Sequence, residues 1–209
     1  MSDGCDRWRL AMTAPRGHGA SMRPRVILLT GAPGSGKSTL GRELGAALRI
    51  PLIARDDIRG GMTMTAGAWR DALEWLPSSD AAVDAFLDVV ELTLQRGVSC
   101  IAEYVFRTHK VSEWERLMAA GDAVVIVTRC SDPESRLVER NTADRLIALP
   151  AVLRATGASS VAEHTEAKVE RMRAVASEMM TDFPVPTLAV DTTHGYDPAL
   201  ETIIDFAVR

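Results

Sequence analysis

The sequence has little of what several common protein classes require. Its 209 residues include three cysteines, Cys5, Cys100 and Cys130, and no Cys-x-x-Cys pair. Such a set predicts neither a disulfide framework nor a zinc site. No apolar run approaches the roughly 18 residues that span a bilayer, and residues 1–24 lack the continuous apolar segment of a signal peptide. These absences favour a soluble, cytoplasmic protein without a membrane partner.

The sequence also lacks a positive net charge. The net charge is -4, whereas proteins that coat nucleic acid need a basic face. The composition therefore argues against nucleic acid as the main partner, although it leaves room for a local basic groove. Lysine occurs only as Lys37, Lys110 and Lys168, which makes Lys37 conspicuous in the motif described below.

The length and the hydrophobic content of 46% suit one substantial core. Residues 1–24 mix Gly, Pro, Arg and Ser without periodicity and predict a disordered leader, with Met12 or Met22 as alternative starts. Residues 25–209 are expected to form a single domain. The least regular stretches of this domain, 57–79 and 146–160, are where a specificity loop or a lid is expected.

Apolar β-branched runs alternate with helical patterns along the domain. The predicted strands are 25–30, 51–54, 98–104, 123–129 and 186–190. The predicted helices are 37–49, 80–96, 109–120, 133–145, 161–181 and 198–208. This alternation is typical of an α/β three-layer sandwich with a five-stranded parallel sheet. In such folds, ligands bind beyond the carboxyl ends of the strands.

A phosphate-binding motif follows the first predicted strand. The sequence GAPGSGKS at 31–38 matches G-x-x-x-x-G-K-[ST]. Its glycines allow the backbone N–H groups to approach phosphate oxygens, and the following helix points its positive end at them. Lys37 is expected to bridge the β- and γ-phosphates, and the Ser38 hydroxyl to ligate Mg²⁺. The predicted nucleotide-binding residues are Gly31, Ala32, Pro33, Gly34, Ser35, Gly36, Lys37, Ser38 and Thr39. The alternative, a glycine-rich turn that binds nothing, is disfavoured by the flanking strand and helix.

The second predicted strand ends in the motif RDDIR at 55–59. Its carboxylates and guanidinium groups would lie at the same edge of the sheet as the phosphate loop. A carboxylate there can accept the proton of an attacking hydroxyl, and an arginine can hold a polar acceptor. An Asp that caps a short helix beside a solvated arginine is the alternative.

The motifs GAPGSGKST and RDDIR together resemble the 5′-hydroxyl polynucleotide kinase family of bacteriophage. The resemblance implies that Asp56 is the general base and that Arg59 contacts substrate phosphate. It also implies that Asp57, the neighbour of this base, supports Mg²⁺ or caps a helix.

Two further segments resemble the chloramphenicol phosphotransferase family: IAEYVF at 101–106 and VDTTH at 190–194. This resemblance also assigns the base to Asp56. Both families belong to a broad group of small P-loop kinases that includes zeta-toxin-like proteins. Membership in this group implies ATP use, a helical lid and the strand order 2-3-1-4-5. It also implies that residues 191–193 lie near the base and ribose of the nucleotide. Glu103 stands where these relatives have Asp.

Glu103 ends a predicted buried strand next to the loop. Its carboxylate could hold Mg²⁺ through water or orient the acceptor as a substrate-binding residue. A strand-end Glu paired with a structural arginine is the alternative.

Three arginines, Arg136, Arg140 and Arg145, follow the fourth predicted strand. Helical spacing puts Arg136 and Arg140 on one face, which suits a lid that closes on ATP. Arg140 is the better candidate for stabilising charge on the transferred phosphoryl group, and Arg136 for contacting the nucleotide. An ordinary salt-bridged surface helix containing Glu139 remains the alternative.

The sequence thus predicts a kinase that uses ATP and Mg²⁺. Lys37, Asp56 and Arg140 are its candidate catalytic residues, and the acceptor is a hydroxyl of a small molecule such as an antibiotic or a metabolite. One alternative is a 5′-hydroxyl polynucleotide kinase. Another is a nucleotide-gated regulatory protein without a physiological acceptor. The acceptor, the oligomeric state and the preference between ATP and GTP do not follow from the sequence.

Overall fold

Runs of valine, isoleucine and leucine form the strands of one parallel sheet. The structure is a computed structural model, and it describes residues 23–67, 79–143 and 161–209. The strands are β1 (Arg25–Gly31), β2 (Leu52–Ala54), β3 (Cys100–Glu103), β4 (Asp122–Arg129) and β5 (Thr187–Asp191). They lie in the order β2-β3-β1-β4-β5, and every neighbouring pair is parallel. The expected strand order is therefore confirmed.

Helices connect the strands and cover both faces of the sheet. Within the described ranges they are α1 (Lys37–Leu48), α2 (Arg55–Gly67), α3 (Ser79–Gln95), α4 (Val111–Ala120), α5 (Pro133–Ala143), α6 (Val161–Glu178) and α7 (Leu200–Val208). None of these helices is both long enough and apolar enough to cross a bilayer.

Successive residues of β1 serve opposite faces of the sheet, because strand side chains alternate in direction. Val26 and Leu28 belong to a core cluster with Phe86. Ile27 belongs to a second cluster with Leu44 of α1. Both faces of the strand are thus covered, and the predicted three-layer sandwich is confirmed.

The segment 57–79, for which no regular structure was expected, begins with a helix. Helix α2 starts directly after β2 and runs to Gly67, while 68–78 lie outside the described residues. Gly60, Gly61 and two threonines, Thr63 and Thr65, have poor helix propensity, and they conceal the helix in the sequence. Asp56 and Asp57 in its first turn are favourable there, because carboxylates complement the positive end of a helix.

Two other predicted regions lie outside the described residues. The proposed leader falls there as far as residue 22, and the irregular stretch 146–160 falls there entirely. Division of the chain at residue 24 therefore remains a prediction.

The strand register brings the candidate residues to one edge of the sheet. Glu103 at the end of β3 is paired with Leu29 of β1 on one side and with Ala54 of β2 on the other. The phosphate loop begins two residues after Leu29, and Asp56 lies two residues after Ala54. Glu103 therefore stands between the loop and the RDDIR motif.

Replacement of Ile126 by alanine should destabilise the fold strongly. Ile126 is fully buried in β4, and its truncation would leave a cavity that lowers the free energy of unfolding by about 2–5 kcal/mol. Urea denaturation measures this change. Val89→Ala is the matched control, because Val89 is 44% exposed and its truncation should cost less than about 0.5 kcal/mol. Equal losses in the two variants would contradict the assigned core.

Candidate active site

The phosphate loop joins β1 to α1 in a conformation that requires glycine. Gly34 has φ +86°, and a Cβ built there would lie 2.1 Å from the Pro133 carbonyl oxygen. Gly36 has φ +82° and packs against Thr192. The absence of a Cβ at these two positions allows the loop backbone to turn its N–H groups toward an anion at the amino end of α1. This conformation is the one expected of the predicted phosphate cradle.

Hydroxyl groups at the ends of β4 and β5 hold the loop. Ser35 Oγ and Thr128 Oγ1 share a hydrogen bond of 2.6 Å. Thr192 Oγ1 donates to the Ser35 carbonyl oxygen at 3.0 Å. All three side chains are buried, so the loop is fixed by strands distant in sequence. Sequence reasoning missed Thr128, although a hydroxyl residue near the end of an apolar strand was a usable signal.

Lys37 lies against the loop. Its side chain is buried, and Nζ donates to the carbonyl oxygens of Gly31 and Ala32, each at 2.9 Å. These bonds hold the ammonium group beside the backbone that would surround the phosphates. The next residue, Ser38, donates its hydroxyl to Glu103 Oε1 at 2.7 Å.

Glu103 is a buried carboxyl group at the centre of the site. Burial raises its pKa, while the Ser38 hydrogen bond and the charge of Lys37 act in the opposite direction. Its Oε2 is buried without a hydrogen-bond partner among the described residues. A buried carboxylate oxygen without a hydrogen-bond partner is energetically unfavourable, and a hydrogen-bond donor or a cation beside it would stabilise it.

The oxygens of Ser38 and Glu103 fit Mg²⁺. This cation takes hydroxyl, carboxylate and water oxygens and obtains further ligands from substrate phosphates. Within the described ranges, no group of three or more His, Cys, Asp or Glu residues could hold a metal by itself. A cation here would therefore depend on the nucleotide for the rest of its coordination.

The RDDIR motif forms the first turns of α2. Arg55 Nη1 donates to Asp56 Oδ1 at 2.8 Å, and the Asp56 side chain is 70% exposed. The charges of Asp56 and Asp57 contribute to the raised pKa of Glu103, which places both carboxylates near it. Arg59 is half-buried. Asp56 thus lies close enough to both Arg59 and Glu103 to affect their pKa values.

Arg136 contacts the turn after β5. Its Nη2 donates to the carbonyl oxygens of Thr192 and Thr193 at 2.8 and 2.7 Å. Because Thr192 also touches the phosphate loop, Arg136 links α5 to the nucleotide side of the site. Arg140 lies in α5, but its side chain is outside the described part of the structure, as is the whole of Arg145.

Replacement of Gly34 by alanine should weaken nucleotide binding at least about 10-fold. The new Cβ would collide with Pro133, and φ +86° is unfavourable for alanine, so the loop would have to leave its cradle conformation. Isothermal titration with ATP and Mg²⁺ should show at least a 10-fold weaker affinity. Gly61→Ala is the control, because no described atom lies within 4 Å of a Cβ there. Unchanged ATP affinity in Gly34→Ala would contradict the assigned cradle.

Solved structures share this fold over most of the chain. A candidate kinase from Chloroflexus aurantiacus is 25% identical, with a TM-score of 0.63, and the match covers 90% of this chain and 96% of that one. The APS kinase CysC of Mycobacterium tuberculosis, solved with AMPPNP and APS, is 13% identical, with a TM-score of 0.54 and coverages of 90% and 100%. A sugar kinase from Janibacter is 12% identical, with a TM-score of 0.50 and coverages of 88% and 92%. The last two show likeness of fold alone. A search of curated proteins returned no significant match.

A family model described as an AAA domain, AAA_33, matches residues 26–179. The matched region starts in β1 and includes the phosphate loop, the RDDIR motif, Glu103 and the arginines of α5. It covers well over half of the chain. The chain belongs to this AAA domain family and is a small P-loop kinase in fold.

Proposed function

We propose that the protein transfers the γ-phosphoryl group of ATP to a hydroxyl group of a small molecule. The observation that carries this proposal is the register of β1, β3 and β2, which aligns the phosphate loop, Glu103 and Asp56 along one edge of the sheet. A donor site and a candidate base for the acceptor therefore adjoin each other. The family and the fold support a phosphotransferase in general.

The donor half is formed by the loop from Gly31 to Thr39. Its backbone N–H groups and the amino end of α1 hold the phosphates, and Lys37 contacts the β- and γ-phosphates. Ser38 and Glu103 would hold Mg²⁺, which neutralises phosphate charge when bound. Arg136 fixes the turn at 192–193, and this turn is proposed to lie beside the base and ribose.

The acceptor half is formed by the start of α2. Asp56 takes the proton of the attacking hydroxyl, because its exposed carboxylate can meet an incoming acceptor. The hydrogen bond from Arg55 orients that carboxylate. Arg59 contacts the acceptor, and Glu103 supports the acceptor from the side of the metal. Arg140 of α5 is proposed to stabilise charge on the transferred group when the lid closes.

The replacement Asp56→Asn should lower the rate of phosphoryl transfer by about 10²–10⁴-fold, the usual contribution of a general base. ATP affinity should stay within about twofold, because Asp56 lies on the acceptor side. The assay needs an acceptor. Incubation of the protein and labelled ATP with antibiotics, nucleosides, sugars and 5′-hydroxyl oligonucleotides, followed by mass spectrometry of the products, would identify an acceptor.

Glu115→Gln is the control, since Glu115 is exposed on α4 and has no role in the proposed mechanism. Unchanged transfer by Asp56→Asn would remove this residue from catalysis. Transfer restricted to oligonucleotides, with an affinity that falls steeply with salt, would favour a polynucleotide kinase instead.

The replacement Lys37→Ala should lower transfer by at least about 10²-fold, because it removes the cation that faces the transferred phosphate. Steady-state kinetics with the same acceptor measures the loss. Arg42→Ala is the control, because Arg42 is exposed on the same helix. Full activity in Lys37→Ala would refute the phosphate-loop mechanism.

A further inference from the structure

Two buried threonines contact the phosphate loop from strands that are distant from it in sequence. Thr128 lies near the end of β4, and Thr192 directly follows β5. They are 93 and 157 residues from Ser35, the loop residue that both contact. Their exposed fractions are 0% and 5%. We refer to Thr128 and Thr192 as the clamp threonines.

Thr128 holds the first half of the loop. Its Oγ1 shares the hydrogen bond of 2.6 Å with Ser35 Oγ and donates to the Thr30 carbonyl oxygen at 3.2 Å. A Cβ built at Gly31 would lie 2.2 Å from Thr128 Oγ1 and 2.6 Å from Ser35 Oγ. The two hydroxyl groups therefore lie directly against the backbone of Gly31, where the loop begins.

Thr192 holds the second half of the loop. Its Oγ1 donates to the carbonyl oxygens of Ser35 and Arg129 at 3.0 and 3.1 Å. A Cβ built at Gly36 would lie 3.1 Å from the same Oγ1 atom. Thr192 thus contacts Ser35 and Gly36, the two residues that immediately precede α1.

The position of Thr192 is set by β4 and α5. Its backbone N–H donates to the Arg129 carbonyl oxygen at 2.9 Å. Arg136 Nη2 donates to the Thr192 carbonyl oxygen at 2.8 Å, and Arg136 Nη1 donates to the Thr192 hydroxyl at 3.3 Å. The N–H, carbonyl and hydroxyl groups of Thr192 are therefore all bonded to elements outside the loop, so this residue is a fixed point that the loop contacts.

Both clamp hydroxyl groups direct their protons at protein atoms. A threonine hydroxyl has one proton to donate. The Thr192 proton is directed at the carbonyl oxygens of Ser35 and Arg129. Thr128 bonds to Ser35 and Thr30. Because phosphate oxygens only accept hydrogen bonds, these hydroxyl groups act on a nucleotide through the loop, whose N–H groups are the proposed phosphate ligands.

We propose that Thr128 and Thr192 are positioning residues for nucleotide binding, whose hydroxyl groups hold the phosphate loop in the conformation that accepts the phosphates. A preorganised loop binds more tightly, because the nucleotide does not have to order it. When a clamp hydroxyl is removed, only a fraction of the molecules keep the loop in that conformation, and the apparent affinity falls by this fraction. The inference rests on the proposed function, in which this loop holds the phosphates of ATP.

The replacements Thr128→Val and Thr192→Val remove one hydroxyl group each and nearly keep the shape of the side chain. Each should weaken the affinity for ATP with Mg²⁺ by about 5- to 10-fold, which corresponds to one lost hydrogen bond. Isothermal titration measures the affinity at a temperature at which circular dichroism shows the variant to be folded. If Thr128→Val does not fold, Ser35→Ala removes the same hydrogen bond from the side of the loop and should show the same loss.

Two controls separate positioning from a general loss of stability. Thr128→Ser and Thr192→Ser keep the hydroxyl groups, so their affinities should stay within about twofold of wild type. Thr93→Val also removes a threonine hydroxyl, but this group bonds within α3, to the Val89 carbonyl oxygen at 2.7 Å. The ATP affinity of Thr93→Val should equal that of wild type.

Tripolyphosphate with Mg²⁺ tests whether the clamp threonines act on the phosphates. This probe has no base or ribose, so a loop effect should weaken its binding by the same factor as that of ATP. A loss for ATP without a loss for tripolyphosphate would overturn the proposal, because Thr192 would then act on the base or ribose. Equal ATP affinities in wild type and the valine variants would also overturn it. Absence of ATP binding by wild type would instead refute the proposed function.

Discussion

The parallel pairing of β2, β3 and β1 is the constraint on which the site depends. Parallel strands end at the same edge of a sheet, and the register sets which residues are level there. In this protein the register pairs Glu103 with both Leu29 and Ala54. As a result, the Ser38 hydroxyl can reach Glu103 at 2.7 Å, and the RDDIR motif begins beside the same carboxyl group. A slip by one residue would turn Glu103 toward the opposite face of the sheet.

The phosphate loop is held by the half of the sheet that contains β4 and β5. Thr128 and Thr192, at the ends of β4 and β5, contact Ser35, while the Pro133 carbonyl oxygen closes over Gly34. Pro133 also begins α5, the helix that carries Arg136. The cradle is therefore continuous with the helix expected to act as a lid, and the loop conformation is tied to the position of α5. An ion pair from Arg173 to Glu134 joins α6 to α5.

The segment after β3 is held by the end of α6. Backbone hydrogen bonds run from Thr108 N to Glu178 O and from Met180 N to Phe106 O, and the Tyr104 ring lies 5.8 Å from the Arg55 Cζ atom. In the proposed mechanism, Glu103 therefore serves the metal side, and the residue that follows it contacts the RDDIR motif of the proposed acceptor side.

Local sequence patterns were sufficient for the strands, most helices and the position of the phosphate-loop motif between β1 and α1, because hydrophobic periodicity and the glycine spacing of the loop are encoded over few residues. Helix α2 was not predicted, because Gly60 and Gly61 weaken the helical signal of the sequence. Its position after β2 and the carboxylates in its first turn stabilise the helix. The RDDIR motif pointed to Asp56 and Arg59, but not to Tyr104, whose ring lies 5.8 Å from the Arg55 Cζ atom. The phosphate-loop motif did not point to Thr128, which is 93 residues from its partner Ser35. Only the tertiary structure brings these residues together, because contacts between distant segments leave no periodic trace in the chain.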